Sequence, residues 1–344
     1  MSSTIAARYR RPRPPSVTAT PYLRGLYQEI GLVKDDRDYD WIDSVGSAGP
    51  YFNYPEAAEA GYVQNTWYFL IDDPIDEGLM PEADQRTFIN RIKGVMSDKL
   101  APETSIEKLT GIFRDKVRAR CGARAYLFQR FVAEHLAWLD SIIIYNAHQA
   151  IKDIDRATFF ALRETNVGVR PLWPVNEAFI DLDLSVAFFV NTYVLRLQTL
   201  TLHHLIIVND LFSAHQDIKR SRHCNIAAIN MRIHGDDADT TVAALYRELA
   251  AIEKEFETVA ELLCTACEYL PETLEERGKY IDILRREMAG NVEWSTNCGR
   301  YQGPDSLLPF MRKIENHVPA NCLLNALIDK PKEREPGRLR PPAT

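Results

Sequence analysis

Val208-Asn209-Asp210-Leu211-Phe212-Ser213-Ala214-His215-Gln216-Asp217 is the stretch from which the fold can be read. Leu202, Leu205 and Ile206 lead into it, so it continues an apolar helix. On a helix, Asn209, Ser213 and Asp217 fall one turn apart each and stack along one face. An amide oxygen, a hydroxyl and a carboxylate in a row make a hard-oxygen donor set suited to Mg²⁺. The same spacing also fits a solvated helix face, so the stretch has to be weighed with what lies upstream.

Upstream stands Trp67-Tyr68-Phe69-Leu70-Ile71-Asp72-Asp73-Pro74-Ile75-Asp76-Glu77, a second apolar helix that ends in acids. Asp72 and Asp76 sit one turn apart and can share a metal ion. A lone carboxylate beside buried aromatics would be costly. Two acidic faces at the ends of apolar helices imply divalent ions over a hydrophobic cavity.

These motifs resemble the paired metal sites of microbial class I terpene synthases: D-D-x-x-D after an aromatic-rich helix, then N-D-x-x-S-x-x-x-D. Trp294-Ser295 followed by Arg300-Tyr301 is similar to that family's C-terminal W-S-x(4)-R-Y signature. Arg163 precedes Asn209 at the spacing of the family's diphosphate-sensing arginine. Short motifs match by chance, but four in order across most of the chain do so far less often.

Composition agrees with an ordinary globule. The 344 residues are 46% hydrophobic and 26% charged, enough for a sizeable core. A net charge of −7 and a pI near 5.7 argue against a nucleic-acid partner. No apolar run follows the basic start, so no secretory signal is expected. Residues 184–208 come nearest to a membrane span, but Asn191, Arg196, Gln198, His203 and His204 interrupt them. Six scattered cysteines do not form a disulfide framework. Cys264 and Cys267, on a helical pattern without a second pair, are expected to pack rather than to bind zinc. A reducing cytoplasm fits.

Apolar residues recur at three-to-four spacing over 58–73, 85–96, 106–118, 125–151, 156–165, 185–219, 240–269 and 280–295. The stretch 185–219 is expected to divide near Thr199–His203. No segment alternates as a strand, and no repeat of solenoid length is present. The expectation is an all-α, single-domain helical bundle around a central apolar cavity, spanning residues 21–329, which the resemblance identifies as the class I terpenoid synthase type. Residues 1–20, rich in Arg and Pro, and 330–344 are expected to be disordered or loosely packed. Asp35-Asp36-Arg37-Asp38 and Asp236-Asp237-Ala238-Asp239 are also D-D-x-D, but neither follows an apolar helix; both read as loop or helix-start carboxylates.

The resemblance implies a Mg²⁺-dependent lyase that ionises a linear prenyl diphosphate and cyclises it, with farnesyl diphosphate favoured over geranylgeranyl diphosphate and three Mg²⁺ ions as cofactor. Asp72 and Asp76 would bind metal on one side of the head group, and Asn209, Ser213 and Asp217 on the other. Asp217 stands where the family more often has Glu, and Gln216 where many members have a diphosphate-binding Lys. Arg220, a turn beyond Gln216, is the candidate to restore that charge; it also fits a solvated helix-end arginine. Arg163 would grip the diphosphate, with its helix stopping near Asn166, Val167 and Gly168 because Gly168 and Pro171 disfavour continuation. Arg300 and Tyr301 would close on the diphosphate, Arg300 also reaching Asp73. Tyr68, Phe69 and Trp294 are the expected cavity walls, since ring faces stabilise a cation without attacking it; Trp173 and Phe188 are weaker candidates. A chain-elongating prenyltransferase or a non-catalytic helical module are the competing readings. The chain would act as a monomer or homodimer.

Overall fold

The computed structural model describes residues 21–312, and the expectations for 1–20 and 330–344 lie outside them. The described residues contain α and 3₁₀ helices and no strand. In chain order the helices are α1 Pro21–Glu29, α2 Asp36–Gly46, α3 Gly49–Phe52, α4 Ala58–Asp76 and α5 Glu82–Met96. Then come α6 Ser105–Cys121, α7 Ala125–His148, α8 Arg156–Asn166, α9 Leu172–Phe179 and α10 Val186–Phe189. The last four are α11 Thr192–Lys219, α12 Ile226–His234, α13 Ala238–Thr265 and α14 Leu274–Asn297.

Every periodic stretch of the sequence is helical here, with its ends displaced by a few residues. The division expected inside 185–219 does not occur where it was placed. α11 runs unbroken over 28 residues, because Thr199 and Thr201 turn their hydroxyls back onto the carbonyls of Leu195 and Leu197. His203 and His204 find Glu164 and Glu253 on neighbouring helices. The break falls earlier, at Asn191, whose side chain accepts from the backbone N–H groups of Tyr193 and Val194 and so caps the helix. α4 runs three residues beyond the expected Asp73, through Pro74 to Asp76; a proline in the last turn forfeits little of the helix ladder. Asp36 opens α2, and Asp237 caps α13 by accepting from the Thr240 N–H. Both extra acidic clusters are thus helix starts. Cys264 and Cys267 are unpaired thiols, one ending α13 and one just beyond it.

α11 packs against α13 and α14, and α14 against α3, which in turn lies on α4. α6 and α7 close the other side of α4. Between them Trp67, Phe113, Phe131, His135 and Trp138 pack ring to ring, with centroids 4.3–6.3 Å apart in successive contacts. The indole N–H of the fully buried Trp67 donates to Thr110 Oγ at 2.8 Å, fixing α4 against α6. This packing sets the C-terminal ends of α4 and α11, the break after α8 and the end of α14 around one cavity.

Replacing Thr110 by Val keeps the volume but strips the buried indole of its acceptor. The expected loss is about 1–3 kcal/mol of folding stability, read from urea unfolding. An unchanged midpoint would show that this bond does not hold α4.

Candidate active site

The cavity is lined by side chains from α4, α7, α8, α11 and α14 and by the segment after α14. All thirteen site residues expected from the sequence border it: Asp72, Asp76, Asn209, Ser213, Asp217, Arg163, Arg220, Arg300, Tyr301, Tyr68, Phe69, Trp294 and Gly168. Trp173 and Phe188 do not. Trp173 turns away and donates its indole N–H to Glu287 at 2.6 Å, while Phe188 packs on Phe189 and Tyr280. Both are plain core.

From His204 to Ala214, α11 is buried apart from Asn209 and Ser213, which with Asp217 one turn on form its half-buried cavity face. Ser213 Oγ donates to Asp217 Oδ2 at 2.7 Å. Asn225 pins the row from below: its amide N–H donates to Asp217 Oδ2 at 2.9 Å and to the Asp210 carbonyl at 3.0 Å, while its Oδ1 caps α12. Asp210 also borders the cavity but is buried and spoken for, accepting from the Ile226 N–H at 2.7 Å and from Arg163 at 3.2 Å. Burial pushes its carboxyl up to about 7, against the opposing pull of Arg163.

The three acids at the end of α4 have three different fates. Asp73 is buried and receives both prongs of Arg300 at 2.8 Å, a fork that brings the Gly299–Tyr301 turn across the cavity. Asp76 accepts from Gln149 at 2.7 Å and from Arg222 at 2.7 Å. Asp72 has neither hydrogen bond nor ion pair among the described residues, although it faces the cavity. Its carboxyl is pushed up to about 8, first by burial and then by the charges of Asp76 and Asp73.

Arg163 joins the two sides of the cavity lip. It donates to Asn166 Oδ1 at 2.8 Å, Asn209 Oδ1 at 3.0 Å and Asp210, and it lies 5.0 Å over the Tyr145 ring. Its Nε has no partner among the described residues, leaving one buried donor free. α8 stops at Asn166, and Gly168 takes a left-handed φ of +75°. A Cβ there would stand 3.3 Å from Trp138 Nε1, whose N–H donates to the Asn166 carbonyl at 3.1 Å. The Tyr301 hydroxyl accepts from Asn209 at 3.0 Å. Below this lip lie ring faces: Tyr68 on Trp138 with centroids 4.4 Å apart, and Phe69 and Tyr301 on Trp294 at 6.0 and 5.6 Å.

Donor chemistry bears on whether a metal fits. No three carboxylate, imidazole or thiol groups among the described residues converge on one point, so there is no ready-made cage. Mg²⁺ does not ask for one: it keeps several waters and takes one or two carboxylates together with phosphate oxygens. An unpartnered Asp72 across from an amide, a hydroxyl and a carboxylate meets that requirement.

Sequence reasoning missed Gln149, Asn225, Trp138, Tyr145 and above all Arg222. Arg220 stands at the rim, partly exposed and paired with Glu77 at 2.7 Å. It is Arg222 that lies between the acids. The signal was the basic run Lys219-Arg220-Ser221-Arg222 just past α11, but helical spacing singles out only its first turn.

The profile described as "Terpene synthase family 2, C-terminal metal binding" matches residues 64–255. Terpene synthase 2 of Dictyostelium purpureum is 27% identical over 283 residues, covering 80% of this chain and 81% of that one. Terpene synthase 1 of Cavenderia fasciculata is 28% identical over 327 residues, 89% and 93% of the two chains. Among solved structures, linalool/nerolidol synthase from Streptomyces clavuligerus superposes with a TM-score of 0.70 at 18% identity, covering 83% of this chain and all of that one. Germacradien-4-ol synthase from Streptomyces citricolor gives 0.67 at 16% identity, over 80% and 90%.

Asp72 binds its proton more tightly in the fold than in the unfolded chain, where a carboxyl titrates near 3.8. Ionising it therefore destabilises the metal-free protein increasingly as pH rises from about 4 to about 8. Asp72→Asn is expected to raise the melting temperature at pH 8 by a few degrees, roughly 2–4 °C per kcal/mol. The gain should fade toward pH 4. A gain that is absent, or independent of pH, would mean that the carboxylate carries no such strain.

Proposed function

Because the chain belongs to the terpene synthase family, we propose that this cavity binds farnesyl diphosphate with Mg²⁺ and converts it to a cyclic terpene, releasing diphosphate. The observation that carries this reading is the pairing of an oxygen-donor lip with an aromatic floor: Asp72 and Asp76 face Asn209, Ser213 and Asp217 above Tyr68, Phe69, Trp138 and Trp294. A prenyl diphosphate has that same division, an anionic head on an apolar tail.

Asp72 and Asp76 would hold divalent ions on one side of the head group, and Asn209, Ser213 and Asp217 on the other. Bound there, three Mg²⁺ ions would neutralise the charge that develops on the leaving diphosphate. Arg163 supplies a fixed guanidinium at the lip with a donor to spare, aimed before any bond breaks. Since it also holds Asn166, a pull on Arg163 is passed to the Gly168 break and to Trp138 beside it. Arg300 and Tyr301 close the remaining side, and the fork on Asp73 keeps the turn seated so that water is shut out. The ring faces shelter the carbocation without trapping it. The released diphosphate, held by the arginines, is the base at hand for the final proton. Five unpaired cysteines among the described residues support a reducing cytoplasm as its place of work, as a monomer or homodimer. No described helix is long and apolar enough to cross a membrane.

The decisive experiment is gas chromatography after incubating the protein and Mg²⁺ with geranyl, farnesyl or geranylgeranyl diphosphate alone. A cyclic product from farnesyl diphosphate is expected. A better yield from geranylgeranyl diphosphate would move the substrate to C20, and product only with added isopentenyl diphosphate would make the enzyme a chain elongator. Loss of all turnover in Asp72→Ala and Asn209→Ala, with both variants folded, excludes a non-catalytic helical module.

Arg300→Gln removes the fork from Asp73 and one charge from the lip. It is expected to lower kcat by about 10²–10³ and to shift the remaining product toward acyclic alcohols as water enters. Unchanged kcat and product would take Arg300 out of the machinery.

A further inference from the structure

Asp76 differs from Asp72 in being fully occupied. Its Oδ1 accepts from Gln149 at 2.7 Å and its Oδ2 from Arg222 Nη1 at 2.7 Å, and Arg222 Nη2 also donates to its backbone carbonyl at the end of α4. The same guanidinium reaches Asp217 Oδ1 at 3.8 Å. One side chain thus spans the two acidic motifs, among the carboxylates that would hold divalent ions. Its placement is built in by the backbone. Ser221 has a φ of +57°, unusual for a residue other than glycine, and turns the chain back at the end of α11. The Arg222 N–H then donates to the Asp217 carbonyl at 2.8 Å, and the His223 N–H to the Gln149 carbonyl at 2.8 Å. Arg222 is mostly buried, whereas Arg220 is 41% exposed and tied to Glu77.

We propose that Arg222 is a resident cation of the metal site: it bridges Asp76 and Asp217 until divalent ions take those carboxylates, and then turns its guanidinium to the diphosphate. The inference rests on the prenyl diphosphate reading above and adds a residue to it. With Oδ1 of Asp76 accepting from Gln149 and Oδ2 from Arg222, a divalent ion at this carboxylate would meet a positive charge already seated on it, so the two cations compete for Asp76. Once displaced, Arg222 stays tethered through its backbone N–H to the Asp217 carbonyl, one residue from Gln216, which is neutral, borders the same cavity and donates to the Arg300 carbonyl at 2.6 Å. Its free guanidinium would fill the positive position that Gln216 lacks. Metal binding and diphosphate binding then become coupled through one side chain: the metal releases the cation that the diphosphate needs.

Two measurements on purified full chain test this: Mn²⁺ binding alone by electron paramagnetic resonance, and inorganic pyrophosphate binding by calorimetry at saturating Mg²⁺. Arg222→Gln should bind Mn²⁺ about three- to fivefold tighter, the worth of a partly exposed ion pair. It should bind pyrophosphate about tenfold or more weakly, the worth of a charge-assisted hydrogen bond. Arg222→Lys keeps the charge with one prong, so its Mn²⁺ affinity should fall between the two and its pyrophosphate affinity near wild type. It also serves if Arg222→Gln does not fold. Arg196→Gln, which breaks an exposed pair with Glu255 away from the cavity, should move neither value beyond about twofold. Mn²⁺ affinity unchanged or weakened in both Arg222 variants overturns the competition, and pyrophosphate affinity unchanged in Arg222→Gln overturns the transfer. If the wild-type protein binds pyrophosphate in an Asp72-dependent way while the Arg222 variants match it, only this inference fails. If it binds none, the prenyl diphosphate reading fails with it.

Discussion

Carboxylates set at the ends of apolar helices need counter-charge, and the architecture around this cavity follows from how that need is met. Asp73, Asp76 and Asp210 each have an arginine: Arg300, Arg222 and Arg163. In all three cases burial pulls the guanidinium down and its neighbours outweigh it, the facing acids for Arg300 and Arg222 and Tyr145 followed by Asp210 for Arg163, leaving each above its ordinary value. The pairs also carry structure. Arg300 closes the turn after α14 onto α4, Arg222 ties the end of α11 to the end of α4, and Arg163 ties α8 to α11. Removing Arg300 or Arg163 would leave the buried Asp73 or Asp210 uncompensated, which costs more than the net worth of the pair, whereas the Asp76–Arg222 pair is partly exposed and is exchanged more cheaply.

The helices were legible because their apolar periodicity is the same signal that burial imposes. Their ends were less so, because ends are decided by single capping side chains such as Asn191 and Thr273, which periodicity does not register. α2 escaped notice for a related reason: it has acids at Asp36, Asp38, Asp40 and Asp43, one of them (Asp38) buried along with Tyr39, Trp41, Ile42 and Val45, so no clean apolar period shows. α9 opens on Leu172-Trp173-Pro174 and reads as a loop, since a proline in the first turn of a helix looks in sequence like a breaker.

The cavity divides along the same line. Residues spaced within one helix, such as Asn209, Ser213 and Asp217, could be assigned to one face before any coordinates. Residues whose place depends on two chains meeting could not. Gln149 and Arg222 meet Asp76 only because the ends of α4, α7 and α11 converge. Arg220 and Arg222 are equally basic and two apart, and only the left-handed turn at Ser221 decides which one enters the site.

That decision bears on why the site holds oxygen donors without a cage. A pocket that gathered Asp72, Asp76 and Asp217 around one point would stabilise Mg²⁺ in the absence of substrate, and would repel itself whenever the ion left. Here the acids are spread out, two of them covered by arginine and one, Asp72, left bare with its proton held more tightly. On the reading proposed above, part of the charge balance would be deferred to the ligand: a diphosphate would bring the oxygens that complete the metal shells, and the metals would free Arg222 to grip it. Neither would bind as well alone. Such mutual dependence suits a reaction whose cation must not form before the cavity is shut, since closure then waits on the complete head group and not on the metal or the tail alone.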